Sequence, residues 1–366
     1  MTVPLGVDRA PRGAPAPYLI SLATAVPPFD LSQDDVADRA AMLFGSGEGE
    51  FHRLAPVYRN ARIDQPHACV PLDWFLEAHS FPERNALFLE HATGLLVEAA
   101  TRALAQARLR ADEIDAIVTI CSSGIATPAL DARVMAHLGF RPDVQRLPVF
   151  GLGCAGGVMG LSRAAAMAMS APTSNVLLLV VELCSLTFRR QDRSKSNIVA
   201  TALFGDGAAA AVITCRPEAA AVTGALKLGP WGEHTWPDSL DVMGWDVAED
   251  GLKVVFSRDI PKLVRDDLRP VVEACLARNG IAFGEIDAFV CHPSGAKVID
   301  ALEDCFELPA GALVHARDTL RDHGNMSAAT VLFVLRAAMD EKPEGARLMT
   351  TLGPGFTAAM MMVGAS

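Results

Sequence analysis

The sequence has no stretch of Lys and Arg dense enough to track a nucleic-acid backbone. Its 32 Lys+Arg stand against 43 Asp+Glu, for a formal charge of −11 and a pI near 5.3. This excludes a general polyanion binder, and an anionic ligand would have to be met by a local basic patch. The eight cysteines, Cys69, Cys121, Cys154, Cys184, Cys215, Cys275, Cys291 and Cys305, include no C-x-x-C pair and no zinc-ribbon spacing. The histidines are not at metal-ligand spacing either, so neither a metal nor a disulfide framework is expected and a reducing cytoplasm is the expected location. The longest apolar run, Val176–Val181, is far short of the ~18 residues of a spanning helix. Prolines break up the segment after Arg9 and Arg12, which argues against a secretory leader. No G-x-G-x-x-G follows a strand and no Walker lysine occurs, so dinucleotide and P-loop chemistry are set aside and no cofactor is expected. With 51% hydrophobic and 20% charged residues, the chain is neither disordered nor a coiled coil. Its 366 residues, at ~150 per domain, suggest two domains or one duplicated fold.

What is present is a repeat. Glu113-Ile114-Asp115-Ala116-Ile117-Val118 recurs 172 residues later as Glu285-Ile286-Asp287-Ala288-Phe289-Val290. An amphipathic helical stretch precedes each copy, and each then runs as a short apolar strand into a small-residue loop, Ser122-Ser123-Gly124 or Pro293-Ser294-Gly295. At nearly the same offset, Gly153-Cys154-Ala155-Gly156-Gly157 matches Gly324-Asn325-Met326-Ser327-Ala328, each opening an apolar helix and then a strand. The register breaks afterwards, with 23 more residues in the first half around Cys184–Leu203. Alternating helices and strands predict an α/β fold with mainly parallel strands. The halves are divided here as 1–220 and 221–366 and packed about a pseudo-twofold axis. That symmetry would bring Cys154, His292 and Asn325 to one centre.

Taken singly, these three residues have ordinary structural readings: a small buried cysteine, a hydrogen-bonded core histidine and an N-cap asparagine. Together at convergent loops they make a nucleophile, a base or donor, and an orienting amide. A cysteine at a helix N-terminus would also feel the helix dipole, which favours thiolate.

The residues resemble those of type III polyketide synthases, the chalcone-synthase-like branch of the thiolase superfamily. The resemblance rests on Gly153-Cys154-Ala155-Gly156-Gly157, Ala202-Leu203-Phe204-Gly205-Asp206-Gly207-Ala208, His292-Pro293-Ser294-Gly295, Gly324-Asn325-Met326-Ser327 and Gly353-Pro354-Gly355, in family order. Within the family, Cys184-Ser185-Leu186-Thr187-Phe188 and Ser194-Lys195-Ser196-Asn197 look most like bacterial alkylresorcinol and alkylpyrone synthases. The resemblance implies a thiolase-like fold of two α/β halves in α-β-α-β-α layers, and a catalytic triad of Cys154, His292 and Asn325. It also implies iterative condensation of malonyl-CoA onto an acyl-CoA primer held on Cys154, with an acyl carrier protein as a second possible donor of the primer. Relatives are homodimers, so a homodimer is expected.

Pocket positions carry over one at a time. Phe204 matches a gatekeeper aromatic between the CoA tunnel and the cavity, and Val254 stands where plant members have the second, which suits a flexible fatty primer. Trp245 falls where relatives have glycine, reshaping the cavity floor. Thr187 and Ser327 match cavity-lining positions, and Gly353, Pro354 and Gly355 form a loop supporting the oxyanion. Ser122, Glu182 and Ser327 resemble a hydroxyl–carboxylate network associated with aldol ring closure, with strand-end hydrogen bonding as the alternative. Arg59 and Arg62, beside Arg53, lie where relatives contact CoA, with a solvated helix face as the competing reading. The run Arg189, Arg190, Arg193 and Lys195 reads as surface.

A β-ketoacyl carrier-protein synthase III shares the fold and triad but condenses once. The Gly353-Pro354-Gly355 loop favours the iterative enzyme. A papain-like hydrolase has the same residue order but would leave the duplication unexplained. A non-catalytic acyl-binding homologue need not have kept all three residues.

Overall fold

A computed structural model describes residues 15–45, 50–218, 221, 225–340 and 345–365. Arg9 and Arg12, and the boundary expected at residue 220, fall outside the described residues.

The strands in chain order are β1 (Tyr18–Ala25), β2 (Phe29–Asp30), β3 (His67–Ala68), β4 (Ala116–Cys121), β5 (Gln145–Phe150), β6 (Asn175–Leu183), β7 (Asp206–Thr214), β8 (Leu226–Thr235), β9 (Met243–Ala248), β10 (Gly251–Phe256), β11 (Ala288–Cys291), β12 (Ala346–Gly353) and β13 (Thr357–Ala365). Nine form one sheet in the order β11-β12-β13-β8-β1-β7-β6-β4-β5, while β9–β10 and β2–β3 are separate pairs.

The sheet order carries the duplication. β4 lies parallel to β6, β6 antiparallel to β7 and β7 antiparallel to β1. In the same way β11 lies parallel to β12, β12 antiparallel to β13 and β13 antiparallel to β8. β1 and β8 pair where the halves meet. The expectation of mainly parallel strands is corrected, because only three of the eight junctions are parallel. A parallel pair needs a crossover helix, and each half spends its crossovers early. It then turns back on itself, as β12 does into β13 through Pro354-Gly355-Phe356. The extra residues of the first half sit at the matching turn, as the 3₁₀ turn Cys184–Thr187 and the helix Lys195–Leu203 between β6 and β7.

Two helices make the central layer. Gly156–Ser170 packs on β4, β6 and β7 of its own half and on β12 and β13 of the other, and also touches Thr330–Asp340, which packs on β1, β7 and β11. Their small and apolar residues, Gly157, Gly160, Ala164, Ala165, Val331 and Leu335 among them, are buried, as a helix covered on both sides requires. The 27-residue helix Phe81–Ala107 covers the outer face of β1, β6 and β7, with Phe88, Leu96, Ala100 and Ala103 buried beneath it. A Ser80–Glu83 capping box starts this helix. On the far side, the helix Arg269–Arg278 lies over β8. The outcome is the five-layered thiolase-like arrangement.

Candidate active site

Cys154 lies in the 3₁₀ turn Gly153–Ala155 that leads into the buried helix Gly156–Ser170. The Ser122 hydroxyl, at the end of β4, accepts hydrogen bonds from the amides of Gly151 (3.2 Å) and Gly153 (3.0 Å) and pins the turn. The other half presses on it from the end of β12. A Cβ on Gly353 would lie 2.6 Å from the Ala155 nitrogen and 2.8 Å from the Leu152 oxygen, so only glycine allows this approach.

His292 follows β11, and its amide donates to the Thr350 carbonyl at 2.9 Å. The ring is buried, with no hydrogen-bond partner for Nδ1 or Nε2 among the described protein atoms. Burial drives its pKa down to about 3, so the imidazole is neutral.

Asn325 is clasped by its backbone. Its amide donates to the Leu203 carbonyl (2.7 Å), and its carbonyl accepts from the Gly205 amide (3.1 Å), which places Phe204 directly opposite. Its side-chain Nδ2 donates to the Ser294 carbonyl (3.3 Å), and Oδ1 accepts from the Ser327 amide (2.9 Å). The Cys154 thiol in turn donates to the Ser327 hydroxyl at 3.5 Å. A chain of contacts therefore runs Cys154–Ser327–Asn325–Ser294, and the Ser294 amide returns to the His292 carbonyl at 3.2 Å. The duplication brings the three loops together.

The expectation of a dipole-favoured thiolate is corrected. Cys154 precedes the helix in a sealed turn, and burial pushes its thiol up to about 12, against the weaker pull of Ser327 and Asn325. Desolvation outweighs the dipole here.

Two cavities adjoin the centre. One is an open cleft of about 590 Å³ that reaches Ser294 and Gly295, with Arg53, Lys195, Arg258 and Lys297 around it and no acid among the described residues of its lining. The other is apolar. Cys184, Thr187, Phe204 and Val254 line one end, and Leu43, Phe44, Leu72 and Phe75 the other. Phe204 stands between them: it faces the apolar cavity while its ring packs on Phe256 (5.7 Å between centroids), a wall of the cleft.

This arrangement can be compared with known proteins. The model for the N-terminal domain of chalcone and stilbene synthases matches residues 75–217, and that for the C-terminal domain matches residues 233–365. The chain belongs to the chalcone and stilbene synthase family. A Bacillus subtilis protein named for chalcone synthase is 37% identical, over 94% of this chain and 98% of that one. A Mycobacterium tuberculosis relative, named as the α-pyrone synthesis polyketide synthase-like Pks18, is 30% identical over 98% of this chain and 94% of its own. The crystal structure of 1,3,6,8-tetrahydroxynaphthalene synthase from Streptomyces coelicolor A3(2) superposes with a TM-score of 0.89 at 26% identity, covering 95% of this chain and 99% of that one. The protein is thus a type III polyketide synthase, an acyltransferase that condenses malonyl-CoA. Among the described residues, no helix is long and apolar enough to cross a membrane.

Some residues of this type III polyketide synthase lie elsewhere than the sequence suggested. Arg59 is exposed on the short helix Pro56–Asn60 and does not line the cleft. Arg62 lines a separate hollow beside Asp300, Glu303 and Asp304. Lys195 is exposed, in keeping with its surface reading, and also borders the cleft. Trp245 is half-buried on the β9–β10 hairpin rather than on a cavity floor. The expected Ser122–Glu182–Ser327 network is only partly formed, because Glu182 accepts the Ser122 amide (3.0 Å), not its hydroxyl, and Ser327 turns to Cys154. Phe256, Arg258 and Lys297 were missed. Phe256 had a signal, since it is two residues from Val254 and side chains along a strand share a face at that spacing.

Proposed function

We propose that this enzyme loads a long-chain fatty acyl group onto Cys154, extends it repeatedly with malonyl-CoA and releases an alkylpyrone. The apolar cavity behind Phe204 carries the primer assignment. Its walls are mainly aliphatic and aromatic out to Leu43, Phe44 and Phe75, with Arg39, Ser185, Thr187, Asn197 and Thr201 the polar members. Its volume of about 80 Å³ holds only a few methylenes, so a long tail requires these walls to part. Every methylene buried there gains ~0.8 kcal/mol.

The steps follow from the chemistry of the three residue types, starting from a Cys154 thiol that rests on Ser327 and a His292 ring unpartnered among the described residues. The neutral His292 ring takes the Cys154 proton as the sulfur attacks the primer thioester, and returns it to the departing CoA thiolate. The acyl chain then lies on Cys154 with its tail beyond Phe204. Malonyl-CoA loses carbon dioxide, and the electrons of the broken C–C bond pass into an enolate. An N–H of His292 and the free N–H of Asn325 donate to the enolate oxygen where its charge develops. The enolate carbon attacks the acyl carbonyl, the Cys154 sulfur leaves, and the chain is two carbons longer. Arg53, Lys195, Arg258 and Lys297 are the cations offered to the CoA phosphates.

The pyrone rests on Ser122 and Glu182. An aldol closure of the kind this network serves needs a carboxylate coupled to a hydroxyl. Here the Ser122 hydroxyl accepts two backbone amides, Glu182 accepts the Ser122 amide, and the hydroxyl that acts on Glu182 is that of Ser123, not Ser122. Lactonisation needs no such network. The α-pyrone relative from M. tuberculosis points the same way.

The test is mass spectrometry of products from malonyl-CoA with acyl-CoA primers from acetyl to palmitoyl. Pyrones that carry the C12–C16 chains are expected to dominate. Products built from malonyl-CoA alone, or resorcinols throughout, would overturn the reading.

A further inference from the structure

Outside the site, two histidines meet. His67 Nε2 lies 2.9 Å from His323 Nδ1, so one ring donates to the other, and the rings are 5.0 Å apart at 30°. The β2–β3 pairing sets Asp30 opposite His67, and Asp30 Oδ1 lies 2.7 Å from His67 Nδ1, a charge contact outside hydrogen-bond geometry. His67 is buried, whereas Asp30 is exposed and His323 half-buried, so the row Asp30–His67–His323 has its buried ring in the middle.

Its His323 end is next to the machinery. His323 ends the helix Val314–His323, two residues before Asn325. The His323 carbonyl lies so close to Gly205 that a Cβ there would be 2.1 Å from it. Segment 64–67 is fastened to the same turn, as the Asp64 and Gln65 amides both donate to the Arg321 carbonyl. On its other face the His323 ring meets Phe333 edge-on at 5.0 Å. The turn that presents Asn325 and faces Phe204 is thus held from outside by the imidazole pair together with the Arg321 carbonyl and Phe333.

We propose that Asp30, His67 and His323 form a positioning relay that fixes the Asn325 turn and loosens it when both rings carry a proton. This rests on the role given to Asn325 above. One proton on the pair is compatible with the 2.9 Å contact, since a His67 imidazolium can face Asp30 and donate to neutral His323. A second proton leaves two cations with no acceptor between them. The charged groups around His323 are His67, Asp322 on its own helix and Asp30 on β2. Burial and His67 hold its pKa down to about 4. The pair therefore stays intact at neutral pH and yields as the pH falls towards that value.

The experiment separates acylation from extension. Intact-protein mass spectrometry follows acyl transfer to Cys154, and product formation gives kcat and KM for malonyl-CoA between pH 5 and 9. His67→Ala is expected to keep acylation within twofold, lower kcat tenfold or more and leave KM within threefold. His67→Gln, which keeps a donor but cannot titrate, should recover kcat at pH 8 to within threefold and flatten the acid limb seen in the wild type. Asp30→Asn, a surface change, should move that limb at least half a pH unit to lower pH, which keeps the proposal testable if the His67 variants fail to fold. Profiles that superimpose on the wild type in folded variants would overturn it, and so would an equal fall in acylation and extension. Asn325→Ala is run alongside. If it decarboxylates malonyl-CoA at the full rate, the role of Asn325 fails. If it does not, and the acid limb stays fixed in every variant, the relay alone fails.

Discussion

Trp245 and Val254 face each other across the β9–β10 hairpin, and the Trp245 indole packs on Phe204 at 6.0 Å. The small side chain of the pair lines the apolar cavity, and the large one packs on Phe204. A ring at position 254 would fill the space a fatty chain is proposed to thread. Val254→Phe is therefore expected to lower kcat/KM for C12–C16 primers at least tenfold and to leave acetyl and butyryl primers within threefold. Competition assays with mixed primers measure this. An equal loss across all chain lengths would mean that Val254 supports the fold rather than the chain.

The centre was legible because it is built from local signals repeated twice. Glycine-flanked Cys154 and Asn325 start buried helices at matching offsets, and His292 ends a strand, so symmetry alone brought them together. The sheet's antiparallel character was not legible, since β6 and β12 look the same in sequence whichever way the next strand runs. The cation cleft was missed for another reason. Arg53, Lys195, Arg258 and Lys297 come from four distant segments; of the stretch Arg53, Arg59 and Arg62, where relatives contact CoA, only Arg53 lines the cleft, while Arg59 is exposed and Arg62 lies in a separate hollow. The state of Cys154 was misjudged because burial is a three-dimensional property that a dipole argument cannot see.

The cleft makes its own prediction. Lys195→Ala and Arg258→Ala each remove a cation from a lining with no acid among its described residues. Charge-assisted contacts to phosphate are worth ~1.5–3 kcal/mol when well formed, and these residues are exposed, so a more modest effect follows. Each change should raise KM for malonyl-CoA about three- to tenfold with kcat little altered, and the wild-type advantage should shrink in high salt. Arg62→Ala, in the hollow beside Asp300 and Glu303, should leave KM unchanged. Initial-rate kinetics at two ionic strengths decide it. A larger effect at Arg62 than at Lys195 would place CoA elsewhere.

Glu182 gives a prediction that needs no substrate. It lies fully buried on β6, with Oε2 accepting the Ser122 amide and Oε1 without a hydrogen-bond partner among the described residues. Burial raises its pKa to about 7 from an ordinary value of 4.5. The sign follows from linkage. A folded-state pKa raised above the unfolded one contributes stability that is complete below the unfolded value and is lost as the pH rises through the folded one. The wild type should therefore weaken between pH 5 and pH 9, as a carboxylate is forced to ionise among apolar strands. Glu182→Gln keeps an acceptor for Ser122 and never ionises. Stabilities from urea unfolding should nearly coincide at pH 3.5, below the unfolded value, whereas at pH 9 the variant should be the more stable by about 3 kcal/mol, the value of the shift at 1.36 kcal/mol per unit. If the wild type is the more stable at pH 9, Glu182 is held as a carboxylate by a donor, and the argument against an activated Ser122–Glu182 pair loses its footing.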